Sequence, residues 1–221
     1  MCLILLAWQT QEQYALVVAA NRDEFHARPA EPARFWKDYP EILAGGDLEA
    51  QGTWMGVARN GRFAAVTNYR GATEPKAAHS RGSLVVNFLN LKAIPEKYMA
   101  GITAGSYSGF NLLACDGKEL WWMSNRDGEP RRLTPGVYGL GNLLLDSPEI
   151  EGCKARFRES LVPAPAVEPL FGVLAGGRIV NPLYGTRCST VLLRSKDGRL
   201  RYAERSFGQD GAEQETLQYE F

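Results

Sequence analysis

The sequence predicts an α+β chain built as a four-layer αββα sandwich of two antiparallel sheets, a single domain over residues 1–221. Three observations carry this. Turn dipeptides that tolerate positive φ recur at Asn60-Gly61, Asp116-Gly117, Asp127-Gly128 and Asp197-Gly198, and short turns join antiparallel strands directly. Several strands are apolar without a break: Leu3 to Trp8 and Ala15 to Ala20 have no polar face, and the adjacent Trp121 and Trp122 must point to opposite sides of a strand. A sheet with one wet face alternates, so both faces of these sheets are expected to be covered. Finally, the helical segments cluster between the hairpins, which suits outer layers on stacked sheets. A plain layer of helices on one sheet is the competing arrangement.

In order along the chain, Leu3 to Trp8 and Tyr14 to Ala20 form a first hairpin across the polar turn Gln9 to Gln13. Thr53 to Arg59 turns into Arg62 to Asn68, Phe110 to Cys115 into Glu119 to Ser124, and Thr190 to Arg194 into Arg199 to Arg205. Ser80 is a capping residue for a helix through Val85, Val86, Phe88, Leu89 and Leu91, and Pro95 to Met99 starts a short second helix. Asp146-Ser147-Pro148-Glu149 reads as a cap with proline and acid in the first turn, opening a helix through Ile150, Cys153 and Phe157. A last helix over Val167 to Leu174 is stopped by Gly176-Gly177. Arg126, Arg131 and Arg132 read as a solvated loop face.

Composition narrows the function. The chain is 45% hydrophobic and 23% charged, with 25 basic against 25 acidic residues, so electrostatics favour neither nucleic acid nor an anionic membrane as partner. The apolar run Cys2 to Trp8 is too short to span a bilayer, and it lacks the flanks of a signal peptide. The expected compartment is the cytoplasm, and the expected partner is a small-molecule ligand or substrate. Cysteines stand at 2, 115, 153 and 188, at spacings that match no metal finger or redox motif. With only His26 and His79 available, a histidine-based zinc site is not expected, nor is a resident cofactor. Gly139-Leu140-Gly141 begins like a dinucleotide fingerprint but lacks the third glycine.

Chemistry concentrates at the start. Cys2 follows Met1, and removal of that methionine would put a thiol and a free α-amine on one residue, nucleophile and base together. Asn21-Arg22-Asp23-Glu24 follows the second apolar strand and would lie beside Cys2 in a hairpin. There, Arg22 would lower the thiol pKa, and Asp23 would hold the amine. The bland alternative is a solvated turn at a strand end. Asn68 and Asn142, at later strand ends, are candidate oxyanion donors or simple turn formers. Arg187 is a further cleft candidate.

These residues resemble a known family. Met-Cys before an apolar strand, then Ala-Ala-Asn-Arg-Asp-Glu-Phe, is similar to the family named for its Asn-Arg-Asp-Glu motif, also called the transport and Golgi organisation family. Gly52-Thr53-Trp54-Met55-Gly56, Ala65 to Tyr69, Gly109 to Leu112, Tyr138 to Asn142 and Tyr184-Gly185-Thr186-Arg187 look like its other blocks. That family is in turn similar to N-terminal-nucleophile hydrolases of the penicillin V acylase and bile salt hydrolase type. The resemblance implies an αββα fold, an N-terminal cysteine nucleophile, and Cys2, Arg22, Asp23, Asn68, Asn142 and Arg187 as catalytic residues. It implies cleavage of a linear amide or, alternatively, a carrier of haem or of a lipid or acyl-coenzyme A without catalysis, with haem as cargo rather than cofactor.

Overall fold

Every side chain from Leu3 to Trp8 is buried, as an unbroken apolar strand requires. The computed structural model describes residues 2–71 and 77–221, so the expectation about Met1 lies outside it. In chain order the strands are β1 (Leu3–Trp8), β2 (Tyr14–Phe25), β3 (Ala30–Phe35), β4 (Ile42–Asp47), β5 (Met55–Ala58) and β6 (Phe63–Asn68). Helices α1 (Gly82–Asn90) and α2 (Pro95–Ala100) precede β7 (Phe110–Cys115), β8 (Leu120–Ser124), β9 (Asp127–Leu133) and β10 (Gly136–Leu140). Helices α3 (Glu151–Ser160) and α4 (Val167–Ala175) lead into β11 (Tyr184–Ser195), β12 (Leu200–Phe207) and β13 (Glu213–Glu220). The chain forms two compact units. One takes the N-terminal stretch to Arg28, Pro135–Gly141 and Leu145–Phe221; the other takes Pro29–Thr134 and Asn142–Leu144.

The first unit holds a six-stranded antiparallel sheet in the order β10-β1-β2-β11-β12-β13. Leu5, Val17, Ala19, Val191 and Leu193 face α3 and α4 and pack on Phe157, Leu170, Phe171 and Leu174. The residues that alternate with them, Ile4, Leu6, Leu16, Val18 and Leu192, are buried as well. The second unit holds a seven-stranded antiparallel sheet, β3 through β9 in sequence order. Ala64, Val66, Leu112 and Ala114 pack on Leu84, Val85, Phe88 and Leu89 of α1. Arg62 pins that helix: its guanidinium lies over the Phe88 ring at 3.9 Å and donates to Phe88 O (3.2 Å) and Ala93 O (2.7 Å). Here too the other face is buried, through Leu43, Val57, Phe63, Leu113 and Trp122. Two antiparallel sheets with helices, in the predicted α+β class, are therefore present.

Local corrections have physical causes. β2 does not stop at Ala20 but continues through Asn21-Arg22-Asp23-Glu24, because β11 pairs with it along its whole length. The turn between β8 and β9 is Asn125-Arg126, not Asp127-Gly128: Asn125 Oδ1 accepts the Phe110 N–H at 2.8 Å, and Ser124 pairs with Asp127. Arg131 and Arg132 thus lie on strand β9, exposed, with Arg131 over the Trp122 ring. Asp146 does not cap α3. Its Oδ1 accepts from Gly139 N (2.8 Å) and Lys154 Nζ (2.9 Å), and a 3-10 turn, Pro148–Ile150, precedes the helix. Leu91 is extended and half-exposed, just beyond α1.

Two glycines of the Gly52-Thr53-Trp54-Met55-Gly56 block are sterically required. A Cβ on Gly56 would stand 2.9 Å from Ala44 Cβ and 3.0 Å from Leu89 Cδ1, and one on Gly52 would stand 2.8 Å from the Gly82 carbonyl carbon. Gly56→Ala is expected to cost about 1–3 kcal/mol of stability, read as a lower denaturant midpoint at unchanged slope.

Candidate active site

The extension of β2 places the motif. Asn21 pairs with Leu3 on one side and Ser189 on the other, Arg22 pairs with Cys188, and Asp23 pairs with Thr186. These are interior positions: Asn21, Arg22 and Asp23 are 0%, 8% and 3% exposed, which rules out a solvated turn. A register shift between Thr186 and Cys188 leaves Arg187 as the extra residue of a β-bulge, a device that re-aims a side chain. Arg187 Nη1 donates to three carbonyls of the chain leaving β2, those of Phe25 (3.0 Å), His26 (3.4 Å) and Arg28 (3.1 Å).

Cys2 immediately precedes β1, and its side chain meets the main chain of Asp23. The thiol donates to Asp23 O and accepts from Asp23 N, each at 3.4 Å. Tyr184 Oη donates to the same carbonyl at 3.1 Å. Asp23 Oδ1 accepts from Thr186 Oγ1 at 2.6 Å, and that hydroxyl accepts from Ile179 N at 2.8 Å. The carboxylate therefore has a fixed orientation. Asn21 is held as tightly: it accepts from Ser189 Oγ (2.6 Å) and donates to Leu174 O at the end of α4 (3.0 Å). Its amide is engaged in structure, not in chemistry. Arg22 differs from both. It approaches Glu24 only at 4.0 Å, and among the described residues its buried Nη1 has no hydrogen-bond partner.

The electrostatics correct one expectation. The Cys2 thiol is pushed up to about 11. Burial is the largest cause; the Asp23 N–H bond and the Arg22 guanidinium pull the other way and do not offset it. Arg22 is buried on the same strand row, but it does not activate the thiol by charge alone. Arg187 is lowered by burial and then by repulsion from Arg22, so two guanidinium groups lie near each other here. Cys188, which the sequence reading did not select, is raised well above the usual thiol range by burial and by Glu204. At pH 7.5, alkylation of Cys2 by iodoacetamide in the full-length chain is expected to be slow. It should rise with pH without a plateau below about pH 10, since the reactive thiolate appears only as pH nears the folded pKa. Mass mapping of the alkylated peptide checks this.

The two asparagines lie in the other unit and belong together. Asn142 Nδ2 donates to Asn68 O at 2.7 Å, and Asn142 O accepts from Arg70 N at 2.6 Å. One hydrogen of the Asn142 amide is thus committed to the chain. Asn68 ends β6 with its side chain exposed. Asn111, not selected from the sequence, organises this corner: fully buried, it donates to Thr67 Oγ1 (3.2 Å) and Leu143 O (2.9 Å). Thr186, Tyr184 and Asn111 were hidden because their roles depend on register across strands distant in sequence. The only signal was their place inside the quoted blocks.

Among the described residues no group of three or more His, Cys, Asp or Glu could hold a metal ion, and no helix is long and apolar enough to cross a membrane. Comparison with known proteins gives a consistent result. The chain is 35% identical to the Transport and Golgi organization protein 2 homolog of Bos taurus and 34% identical to that of Homo sapiens, in each case over all of this chain and 99% of the relative. In solved structures it resembles the C2A mutant of the conjugated bile acid hydrolase from Clostridium perfringens, with TM-score 0.60, 9% identity, and coverage of 100% of this chain and 97% of that one. It also resembles the Caenorhabditis elegans ortholog of N-acylethanolamine-hydrolyzing acid amidase, with TM-score 0.57, 11% identity, and coverage of 87% and 92%. These likenesses show the N-terminal-nucleophile hydrolase fold. The family model for Transport and Golgi organisation 2 matches residues 1–176, and the chain belongs to that family.

Proposed function

We propose that this protein is an amide hydrolase with Cys2 as its N-terminal nucleophile once Met1 has been removed. The observation that carries the reading is the thiol of Cys2 held at 3.4 Å against both main-chain groups of Asp23, at the buried centre of the Asn-Arg-Asp-Glu segment. Burial raises the Cys2 thiol above the usual thiol range, so the thiolate is scarce at neutral pH. Attack therefore needs a base that takes the proton in the same step, and the α-amine of a terminal Cys2 is on the same residue.

In this reading Cys2 Sγ bonds to the amide carbon while its proton passes to the α-amine. The C–N bond then breaks, and the leaving amine takes that proton. A water molecule, deprotonated by the same α-amine, cleaves the thioester to give a carboxylic acid and restores the thiol. Asp23 holds the amine through its Thr186-fixed carboxylate, and Arg22 and Arg187 supply positive potential. The bile acid hydrolase and acid amidase of similar fold are hydrolases by name, which agrees with this chemistry.

The test is paired. Processed and Met1-retaining protein are assayed for hydrolysis of a panel of N-acyl amides and for binding of haem and acyl-coenzyme A. Hydrolysis confined to the processed form is expected. Binding that is equal in both forms, with hydrolysis in neither, would replace this reading with a carrier.

A further inference from the structure

Arg178 follows α4, and among the described residues no carboxylate pairs with it. Its carbon Cζ lies 4.4 Å from the centre of the Phe207 ring, and among the described residues its buried Nε and Nη1 have no hydrogen-bond partner. It lines a pocket of about 250 Å³ together with Phe171, Ala175, Ser189, Arg205 and Phe207. The other cation there is already matched. Arg205 Nη2 contacts Glu168 at 3.0 and 3.1 Å, Arg205 Nη1 reaches Glu213 at 3.5 Å, and the guanidinium lies over Phe171 at 4.4 Å. Ser189 is committed to Asn21. The two glutamates are open to solvent, with side chains 67% and 58% exposed, so water screens them while Arg178 lies inward.

We propose that this pocket binds a small organic monocarboxylate, with its carboxylate on Arg178 and its apolar part against Phe171 and Phe207. A planar carboxylate suits the donor fork of a guanidinium fixed on an aromatic ring. A monoanion is preferred to a phosphate dianion, because one guanidinium offers a single unit of positive charge and one planar donor fork. The site is separate from the proposed nucleophile. Ser189 and Arg205 pair in register and lie on the α4 side of the sheet, whereas the alternating positions Arg22 and Cys188 lie on the other.

Benzoate, acetate and inorganic phosphate are titrated calorimetrically into the full-length protein, its Cys2→Ala variant, Arg178→Gln and Arg178→Lys. Saturable benzoate binding is expected, tighter than phosphate, unchanged by Cys2→Ala, and weakened about tenfold or more by Arg178→Gln. Arg178→Lys keeps the charge and loses the fork, so it should also weaken binding; it serves as the test if Arg178→Gln does not fold. Because Cys2→Ala removes the nucleophile, binding there is read independently of hydrolysis. No saturable benzoate binding, affinity indifferent to both Arg178 substitutions, or stronger binding of phosphate would overturn the proposal.

Discussion

Cys2→Ser is expected to lower kcat/KM for amide hydrolysis by about 10³-fold or more, whereas Cys153→Ser should leave it within a factor of two or so. The asymmetry follows from position. Cys153 is a partly buried residue of α3 that packs at the edge of the helix-side core, while Cys2 touches the Asp23 main chain. A serine hydroxyl is a weaker acid than even the raised thiol, so the α-amine takes its proton with greater difficulty and the alkoxide is less accessible. A form that keeps Met1 should be as inactive as Cys2→Ser, although its thiol is intact, because its Cys2 nitrogen is an amide. Steady-state kinetics on the three proteins, with circular dichroism to show that each is folded, check the prediction. Equal losses from Cys2→Ser and Cys153→Ser would point to a structural effect and sink the nucleophile assignment.

Asn21→Ala is expected to act on stability. The substitution strips a partner from the Ser189 hydroxyl and from Leu174 O, both in a fully buried setting, and leaves space beneath the end of α4. Uncompensated buried polar groups cost about 1–3 kcal/mol each, so a loss of roughly 2–4 kcal/mol is expected. In a chain of this length that lowers Tm by about 5–12 °C. Arg22→Gln provides the contrast. Among the described residues the buried Nη1 of Arg22 has no hydrogen-bond partner and its ion pair with Glu24 is long, at 4.0 Å, so replacing it should change stability little while lowering activity. If calorimetry showed Arg22→Gln to be the less stable of the two, the division of the motif into an anchoring asparagine and a functional arginine would be wrong.

This division was not legible in the sequence. Apolar strands, glycine turns and helix starts predicted the α+β class because each rests on local chemistry: Leu3 to Trp8 reads as a doubly covered strand from six residues alone, and all its side chains are buried. The elements that sequence reasoning missed lack such a signature. β13, Glu213–Glu220, is polar and largely exposed because it is an edge strand held by backbone pairing to β12. β4 ends in Gly45-Gly46-Asp47, which reads as a turn until β3 and β5 are seen on either side. From sequence the motif looks like the exit from its strand, because four polar residues follow six apolar ones. They remain in the sheet because β11 supplies Thr186 and Ser189, whose hydroxyls engage Asp23 and Asn21. Those partners lie more than 160 positions away in sequence. The raised thiol pKa was equally out of reach, since charge neighbours can be guessed from a motif but burial cannot.

Whether Cys2 acts as a chain terminus is decided by the intact mass of the purified native protein. A single species lighter than the full sequence by one methionine residue is expected, with Cys2 as its first residue on N-terminal sequencing. A mass that retains methionine in every molecule of a preparation that hydrolyses N-acyl amides would contradict that role, because the amine assigned as the base would not exist.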